Sequence, residues 1–600
     1  MKNNIQTKSK DNVKIKIDNK EDNLVVKQKE KSVKKYRNNY NKVSKNKKVK
    51  IIPLGGLDEM GKNMTLVEYE NEIIIIDCGL QFPDYEMLGI DIVIPDFSYV
   101  VENKDKIKGV LVTHGHEDHI GGLAYLFKAV GHLPVYGTKL TLGIIEGKLK
   151  EHKLLNGAKL NVIKPRDIIK LGLIKVEFIA VNHSIPDACS IAITTPAGII
   201  VHTGDFKVDF TPINGDIIDL ARFAELGNAG VLALLSESTN SERPGMTTSE
   251  KKVGESFEMF FKRAHNKRVI IATFASNIHR VQQIMNIAAS SKRKVAVSGK
   301  SMETVVAKAI ETGYLKVPKN TFINIDEIKN YNPGQLIIVT TGSQGEPMSA
   351  LKRMSQGDHK KVEISSQDFI IISATPIPGN EKFVNKVIND LMKLEAEVVY
   401  ENMYDVHVSG HACQNELKLM ISLTKPKYFM PVHGEYKHLR RHADIAISMG
   451  ISSKNVHMGT LGQVIEISDE RIEVIKTIHV GKTMVDGLGI GDVGNIVLRD
   501  RKHLSEDGLI IVVAAINQNN GTVVSGPDIV SRGFVYVRES EDIVNETRNI
   551  AKDVLGKCFD EGIRDWIIIK SRIKDELARF IHSKIKRYPM ILPIIQDVYM

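Results

Sequence analysis

Three imidazoles and a carboxylate fall within six residues at His114-x-His116-x-Asp118-His119, directly after the apolar run Gly109-Val110-Leu111-Val112. Neutral imidazole nitrogen and carboxylate oxygen are the ligand atoms that a zinc ion takes from protein, and ligands on one loop share one rigid support. On an extended segment His114 and His116 point to the same side. Asp118 and His119 fall where a helix begins and face a neighbouring position, so one loop can serve two metal ions. Two ions need further ligands. Asp77, His183, Asp205 and His433 each follow an apolar run and precede small or turn-forming residues. In open α/β sheets ligands gather beyond the carboxyl ends of the strands, which is where these four would lie. Singly, each also fits a plain turn former; with the cluster they make a coherent set.

The elements that must position these residues are legible as short apolar runs. VKIIPLGG, EIIIIDCG, KGVLVTHGH, VEFIAVNHS and GIIVHTGDF each read as a strand ending in a polar loop, and their continuous apolar character predicts strands covered on both faces. A helix is predicted over Gly121–Val130. From Ser249 the texture changes: helix-period segments alternate with RVIIATFAS, KVAVSGK, QLIIVTTGS and DFIIISATP, the pattern of a parallel doubly wound sheet. KYFMPVHGE is again a strand that ends at a histidine. The Gly-rich stretch from Met484 to Gly494 marks an approaching boundary. The last ~90 residues read as a small α/β domain with a hairpin at Asn520-Gly521 and helices over Ile543–Leu555 and KDELARFIHSKIKRYP. No tandem repeat is present.

Six hundred residues exceed one hydrophobic core, which sets an expectation of ~3 to 5 domains. The 42% hydrophobic and 26% charged residues suit a soluble globular protein. No apolar run is long enough to span a membrane, and the amino-terminal stretch lacks the apolar core of a secretory signal. Four widely spaced cysteines read as reduced thiols of a cytoplasmic protein. The net charge of +10 is unevenly placed: residues 1–50 hold 17 Lys/Arg and 5 Asp/Glu, which leaves 65 basic and 67 acidic residues in the rest. The basicity belongs to a Lys/Asn-rich extension, expected to be disordered, which either attracts nucleic acid by counterion release or is merely solvated.

These residues carry a resemblance. The cluster with Asp77, His183 and Asp205 resembles the metallo-β-lactamase superfamily. LGGLDEMGKNM, DCGLQFPDYEMLGIDIVIPD, THGHEDHIGG, HTGDFKVD, FASNIHRVQQ, HVSGHA and PVHGE are similar to its β-CASP RNA-processing branch, and within that branch to the ribonuclease J family. The resemblance covers residues 50 to 495, and the carboxy-terminal domain has the size that family has. It implies an αββα sandwich with an inserted Rossmann-like β-CASP domain and a small carboxy-terminal α/β domain. The expected division is a basic extension at 1–48, a metallo-β-lactamase domain at 49–248 and 415–495, the β-CASP domain at 249–414, a linker at 496–510 and a carboxy-terminal domain at 511–600.

The same resemblance implies two zinc ions per subunit. One takes His114, His116, His183 and Asp205, the other Asp118, His119, Asp205 and His433, and Asp77 orients the site. Glu237 and His411 match an acid and a histidine near the scissile phosphate. The family usually has Asp at the position of Glu237, so the carboxylate here sits one methylene further out. His407-Val408-Ser409-Gly410-His411 resembles a phosphate-binding element, with Ser276-Asn277-Ile278 contributing from the insert. Both segments also read as N-caps of the helices that follow. Gly342-Ser343-Gln344-Gly345-Glu346 reads as a cap of the helix PMSALKRM. Gly89, Asp91 and Asp486 match positions that bind structural calcium in some members.

The implied activity is 5′→3′ exonuclease and endonuclease cleavage of single-stranded RNA with a preference for 5′-monophosphate ends, in mRNA decay and rRNA maturation. The implied partners are messenger and precursor ribosomal RNA, a second copy of the chain in a homodimer or homotetramer, and other RNA-decay proteins. The competing readings are a small-molecule metallohydrolase of the same superfamily and a binding or scaffold paralogue without strong activity. The Ser249–Gln414 insert and the pair His411 and His433 argue against the first, and the full set of candidate ligands against the second. His132, His152, His265, His438 and His457 show no partner pattern.

Overall fold

The computed structural model describes residues 47–598 apart from 85, 214, 216, 347, 377–379, 402, 405, 518–520 and 535–540. Most of the basic extension therefore lies outside the described residues. Two facing sheets carry the predicted strands. One has eight strands, in the order Ile472–Thr477, Gln463–Ser468, Lys48–Gly55, Met64–Tyr69, Glu72–Ile76, Ile107–Leu111, Pro134–Gly137 and Lys159–Val162. The other has six, in the order Tyr428–Val432, Val231–Glu237, Gly198–His202, Cys189–Thr195, Ile174–Ala180 and Ile168–Leu171. Ile51, Val67, Ile74 and Leu111 from the first meet Phe178, Ile191, Ile200 and Leu235 from the second in one buried cluster. Each such side chain contributes on the order of 2 kcal/mol by leaving water. The outer face of the six-stranded sheet, with Val201, Leu234 and Phe429, is covered by Phe223, Leu417, Met420 and Ala446 of helices. This is the αββα sandwich.

Strand direction sets where the polar loops go. Glu72–Ile76 runs parallel to Ile107–Leu111, with Ile76 opposite Leu111, so Asp77 and Thr113 emerge side by side. Gly198–His202, Val231–Glu237 and Tyr428–Val432 are parallel in turn, with His202 opposite Leu235 and Glu237 opposite Val432. Asp205, Glu237 and His433 thus leave the second sheet at one edge.

Between the last two of these strands the chain builds a five-stranded, wholly parallel sheet in the order Lys294–Ser298, Leu336–Thr340, Arg268–Ala272, Asp368–Ile372 and Glu397–Tyr400. Its strands are almost entirely buried. Helices such as Ile278–Ser290 and Glu381–Lys393 supply the cover that continuous apolar strands require.

Residues 82–94 and 482–600 form a second compact unit. A three-stranded sheet, Thr522–Arg532, Leu509–Asn517 and Met590–Asp597, packs one face against the helices Glu541–Asp560 and Trp566–Ile585. Strands 509–517 and 522–532 are antiparallel neighbours; Asn520, where their turn was expected, lies outside the described residues. Residues 496–510, expected as a linker, instead form the helix Asn495–Asp507 and the start of a strand. Met484 and Val493 cluster with Ile90 and Val93, and Leu498 packs on them. That packing groups 482–494 with the carboxy-terminal residues rather than with the sandwich, where the sequence boundary had placed them. Among the described residues no helix is long and apolar enough to cross a membrane.

Candidate metal centre

The predicted ligands converge into two sets joined by one carboxylate. His114, His116, His183 and Asp205 form the first, and Asp118, His119, Asp205 and His433 the second; within each, the ligand atoms lie within 4.8 Å of one another. A third set, Asp205, Glu237 and His411, adjoins them. Nε2 of His114 and of His183 stand 2.9 and 3.1 Å from Nδ1 of His116. In the second set Nε2 of His119 and of His433 lie 3.2 and 3.6 Å from Oδ2 of Asp205, and 3.5 and 3.2 Å from Oδ2 of Asp118.

The surroundings fix which nitrogen faces inward. Nδ1 of His119 donates to Oδ2 of Asp77 at 2.8 Å, and Nδ1 of His183 to the Gly410 carbonyl at 2.8 Å. Nδ1 of His433 meets Oγ1 of Thr239 at 2.8 Å. Oγ1 of Thr113 donates to Asp77 at 2.8 Å, so it accepts from Nδ1 of His114 at 3.1 Å. With their Nδ1 protons spoken for, the Nε2 lone pairs point into the site, the outer-shell arrangement that metal-ligating histidines use. Asp77 also accepts from the Thr113 amide at 2.8 Å. Asp77 and His433 both take left-handed backbone, φ 59° and 56°, the sharp turn that lifts each out of its strand.

Two observations test whether a cation fits here. Three imidazole nitrogens crowd within hydrogen-bonding distance although at least two of them carry lone pairs. Oδ1 of Asp205 is buried without a hydrogen-bond partner among the described residues, a costly state for a carboxylate oxygen. Positive charge between the groups answers both. A cavity of ≈ 10 Å³ beside the second set is lined by Asn63, Asp77, His119, His202, Asp205 and His433.

The electrostatics follow from burial among opposite charges. Burial opposes charge on His119, but Asp205, Asp118 and Asp77 outweigh it and raise its pKa well above the usual value. His433 is raised in the same way, against burial, chiefly by Asp205 and Asp118. Burial and neighbouring imidazoles hold His114 and His183 well below the usual range. Burial likewise brings His116 down to about 4. The carboxyl groups of Asp118 and Asp205 resist burial because the imidazoles pull them well below the usual carboxylate range.

Glu237 ends its strand fully buried. Oε1 accepts from the amide of Phe206 at 3.0 Å and that of Ala412 at 3.4 Å, and Oε2 lies 3.0 Å from Nδ1 of His411. Burial disfavours charge on His411, yet Glu237 and then Asp205 and Asp118 push it up to about 9. The longer side chain therefore still reaches its histidine.

The other expected positions divide. Ser409 accepts from Nδ2 of Asn240 at 2.8 Å and from the His411 amide at 3.2 Å. It does not cap the next helix; that cap is Cys413, whose amide donates to Glu416. Asn277 does cap its helix, accepting from the Arg280 amide at 3.1 Å. Val408 and Ile278 are buried core side chains, which leaves only their backbone for a ligand. The Gly342–Glu346 segment turns toward a helix whose N-cap is Ser349. In the second unit Asp91 accepts from the Gly487 amide at 2.8 Å. Arg501 donates to the Leu88 carbonyl at 2.9 Å and to Asp486 at 2.5 Å, and packs against Gly89. Its guanidinium thus lies among the residues expected to bind calcium.

Asn63, Thr113, Thr239 and Asn240 went unassigned in the sequence, although all lie in or beside the recognised segments. Their signal is adjacency: each stands within two residues of, or is paired in space with, a ligand-bearing turn.

Four family models match successive parts of the chain: the metallo-beta-lactamase superfamily at residues 57–237, the ribonuclease J beta-CASP domain at 266–391, the Zn-dependent metallo-hydrolase RNA specificity domain at 395–458 and the ribonuclease J C-terminal domain at 496–598. The chain is 44% identical over 547 residues to ribonuclease J 1 of Streptococcus pyogenes, covering 91% of this chain and 97% of that one. The chain belongs to the ribonuclease J family. It is also 43% identical to ribonuclease J2 of Bacillus subtilis, over 92% of this chain and 99% of that one, and 39% identical to ribonuclease J 2 of Staphylococcus aureus over the same shares. A crystal structure of a protein of unknown function from Enterococcus faecalis aligns with a TM-score of 0.50 at 16% identity, over 70% of this chain and 100% of that chain, and shares the fold. Family membership makes the protein a metal-dependent nuclease of the hydrolase class and an RNA-binding protein.

Proposed function

We propose that this ribonuclease J family member holds two zinc ions, one in each donor set, and cleaves single-stranded RNA both from 5′-monophosphate ends in the 5′→3′ direction and internally, in mRNA decay and rRNA maturation. The observation that carries this reading is the pair of donor sets sharing Asp205, with Glu237 and His411 beside them. When bound, the two ions supply the positive charge that polarises a phosphodiester and acidifies water. Asp77, Thr113, Thr239 and the Gly410 carbonyl hold the ligand tautomers before substrate arrives. Glu237 has all its oxygens engaged by two amides and His411, so it orients rather than donates. His411 carries the proton and is partly open to solvent; it neutralises charge on the scissile phosphate and hands that proton to the leaving 3′-oxygen. The segment from His407 to Gly410, with Ser276, receives the 5′-terminal phosphate.

The test is digestion of one RNA sequence carrying a 5′-monophosphate, triphosphate or hydroxyl end, with metal content measured on the same sample. Two zinc equivalents and fastest loss of the 5′-monophosphate RNA are expected. Binding without cleavage in the metal-loaded protein, or equal rates for all three ends, would overturn the reading.

A further inference from the structure

The inserted sheet carries a buried arginine that the chemistry above leaves unused. Arg280 stands on the helix Ile278–Ser290 with its side chain wholly out of solvent. A guanidinium keeps its charge, has five N–H donors and no acceptor, and is tolerated in the interior only where its donors are met. Glu250 meets one edge at two points, Nε to Oε1 at 2.8 Å and Nη2 to Oε2 at 3.2 Å. Nη1 donates to the Ser373 carbonyl at 2.6 Å, to Oγ1 of Thr273 at 3.4 Å, and to Nδ1 of His407 at 3.1 Å.

The last contact decides a tautomer. Arg280 can only donate, so Nδ1 of His407 must offer a lone pair and the ring's single proton must sit on Nε2. Nε2 has no hydrogen-bond partner among the described residues. His407 is partly buried, at the start of the segment that leads to His411. Desolvation and the cations Arg280, Arg243 and Lys207 hold the imidazole well below the usual histidine range, which agrees with a neutral ring.

We propose that Arg280, clamped by Glu250, is a positioning residue that fixes His407 as the Nε2-protonated tautomer and so presents one neutral N–H donor to the 5′-terminal phosphate of the RNA. The proposal rests on the reading that the His407–Gly410 segment receives that phosphate. A neutral donor binds a phosphate oxygen directionally without placing a second cation against Arg280. Without Arg280 the ring divides between two tautomers, and the donor is lost from part of the population.

The test compares kcat/KM for 5′-monophosphate and 5′-hydroxyl RNAs of one sequence, on the full metal-loaded chain. In Arg280→Gln the ratio is expected to fall about twofold through KM for the 5′-monophosphate RNA, because only the share of rings that lose the Nε2 proton stops binding the phosphate. The double variant with His407→Asn should be no lower than His407→Asn alone, because Arg280 acts through His407. Independent, multiplying losses overturn the proposal. His407→Gln places an amide at the level of Nε2 and His407→Asn only at the level of Nδ1. The glutamine variant should therefore keep more of the 5′-monophosphate preference. Equal ratios in those two overturn the proposal without any Arg280 variant having to fold. A wild-type chain indifferent to the 5′ end would overturn the phosphate reading itself, and the proposal with it.

Discussion

A β-carbon on Gly410 would lie 2.7 Å from Cε1 and 2.8 Å from Nδ1 of His183, and 3.0 Å from Oγ of Ser184. The same glycine supplies the carbonyl that orients His183. Gly410→Ala must therefore push His183 away and loosen the hydrogen bond that aims its Nε2. Disturbing such an orienting contact typically weakens metal affinity by about 10- to 100-fold. After dialysis against a weak chelator the variant should retain about one metal equivalent where the wild type retains two, with its far-ultraviolet dichroism unchanged. Equal retention would show that the Gly410 contact does not support the first set. At this scale residue types and order were legible, because imidazole and carboxylate have few reasons to crowd one loop. Which nitrogen faces inward was not, because that depends on Thr113, Thr239 and a backbone carbonyl far away in sequence. That Glu stands where Asp was expected could be read, but not its consequence, which is that Oε2 of Glu237 lies 3.0 Å from Nδ1 of His411.

At the scale of elements, the helix Tyr436–Ser448 follows the turn that presents His433 and packs His442 beneath the site. The His442 ring is fully buried, 4.8 Å from Phe429, with Nδ1 3.0 Å from Oγ of Ser238. Burial pushes its pKa down to about 3. The folded pKa lies below the unfolded one, so as pH falls below about 6.5 the unfolded chain takes a proton that the folded chain refuses until near 3. Folding stability is thus lost with acid across that window, by about 1.4 kcal/mol per pH unit for this one group. His442→Asn keeps a polar group at the level of Nδ1 for Ser238 but binds no proton. Urea unfolding between pH 6 and pH 5 should show the wild type losing about 1 kcal/mol more than the variant over that step; parallel losses would place His442 outside the acid response. Continuous apolar runs made most strands readable, since burial on both faces leaves a signature in composition. Caps and connections were less so. Glu416 reaches back to Cys413 and displaces the expected Ser409 cap. The expected linker is helical because Leu498 finds Met484, Ile90 and Val93, contacts that no local pattern announces.

Across the whole molecule the two sheets, the inserted parallel sheet and the carboxy-terminal unit each close their own cores. The sheet edge that gathers the ligands is a result of parallel strand order, which a sequence implies only once the strands are paired. Charge is arranged on the same scale. Residues 51–600 hold 65 basic and 67 acidic side chains, whereas residues 1–50 hold 17 and 5. A near-neutral body gives little long-range attraction for a polyanion, so an arm with net charge +12 should dominate the salt-sensitive part of RNA binding. Each single-strand phosphate neutralised adds about 0.7 to the slope of log affinity against log salt. Removal of residues 1–46, which hold 14 of those basic residues and all 5 acidic ones, is therefore expected to weaken RNA binding on the order of tenfold at low salt and to flatten that slope. The catalytic rate at saturating RNA should stay within about twofold, because no residue of the centre is touched. Filter binding across a salt series, with single-turnover cleavage on the same preparations, separates the two quantities. An unchanged slope would mean that the arm is merely solvated and that the folded domains alone account for RNA affinity.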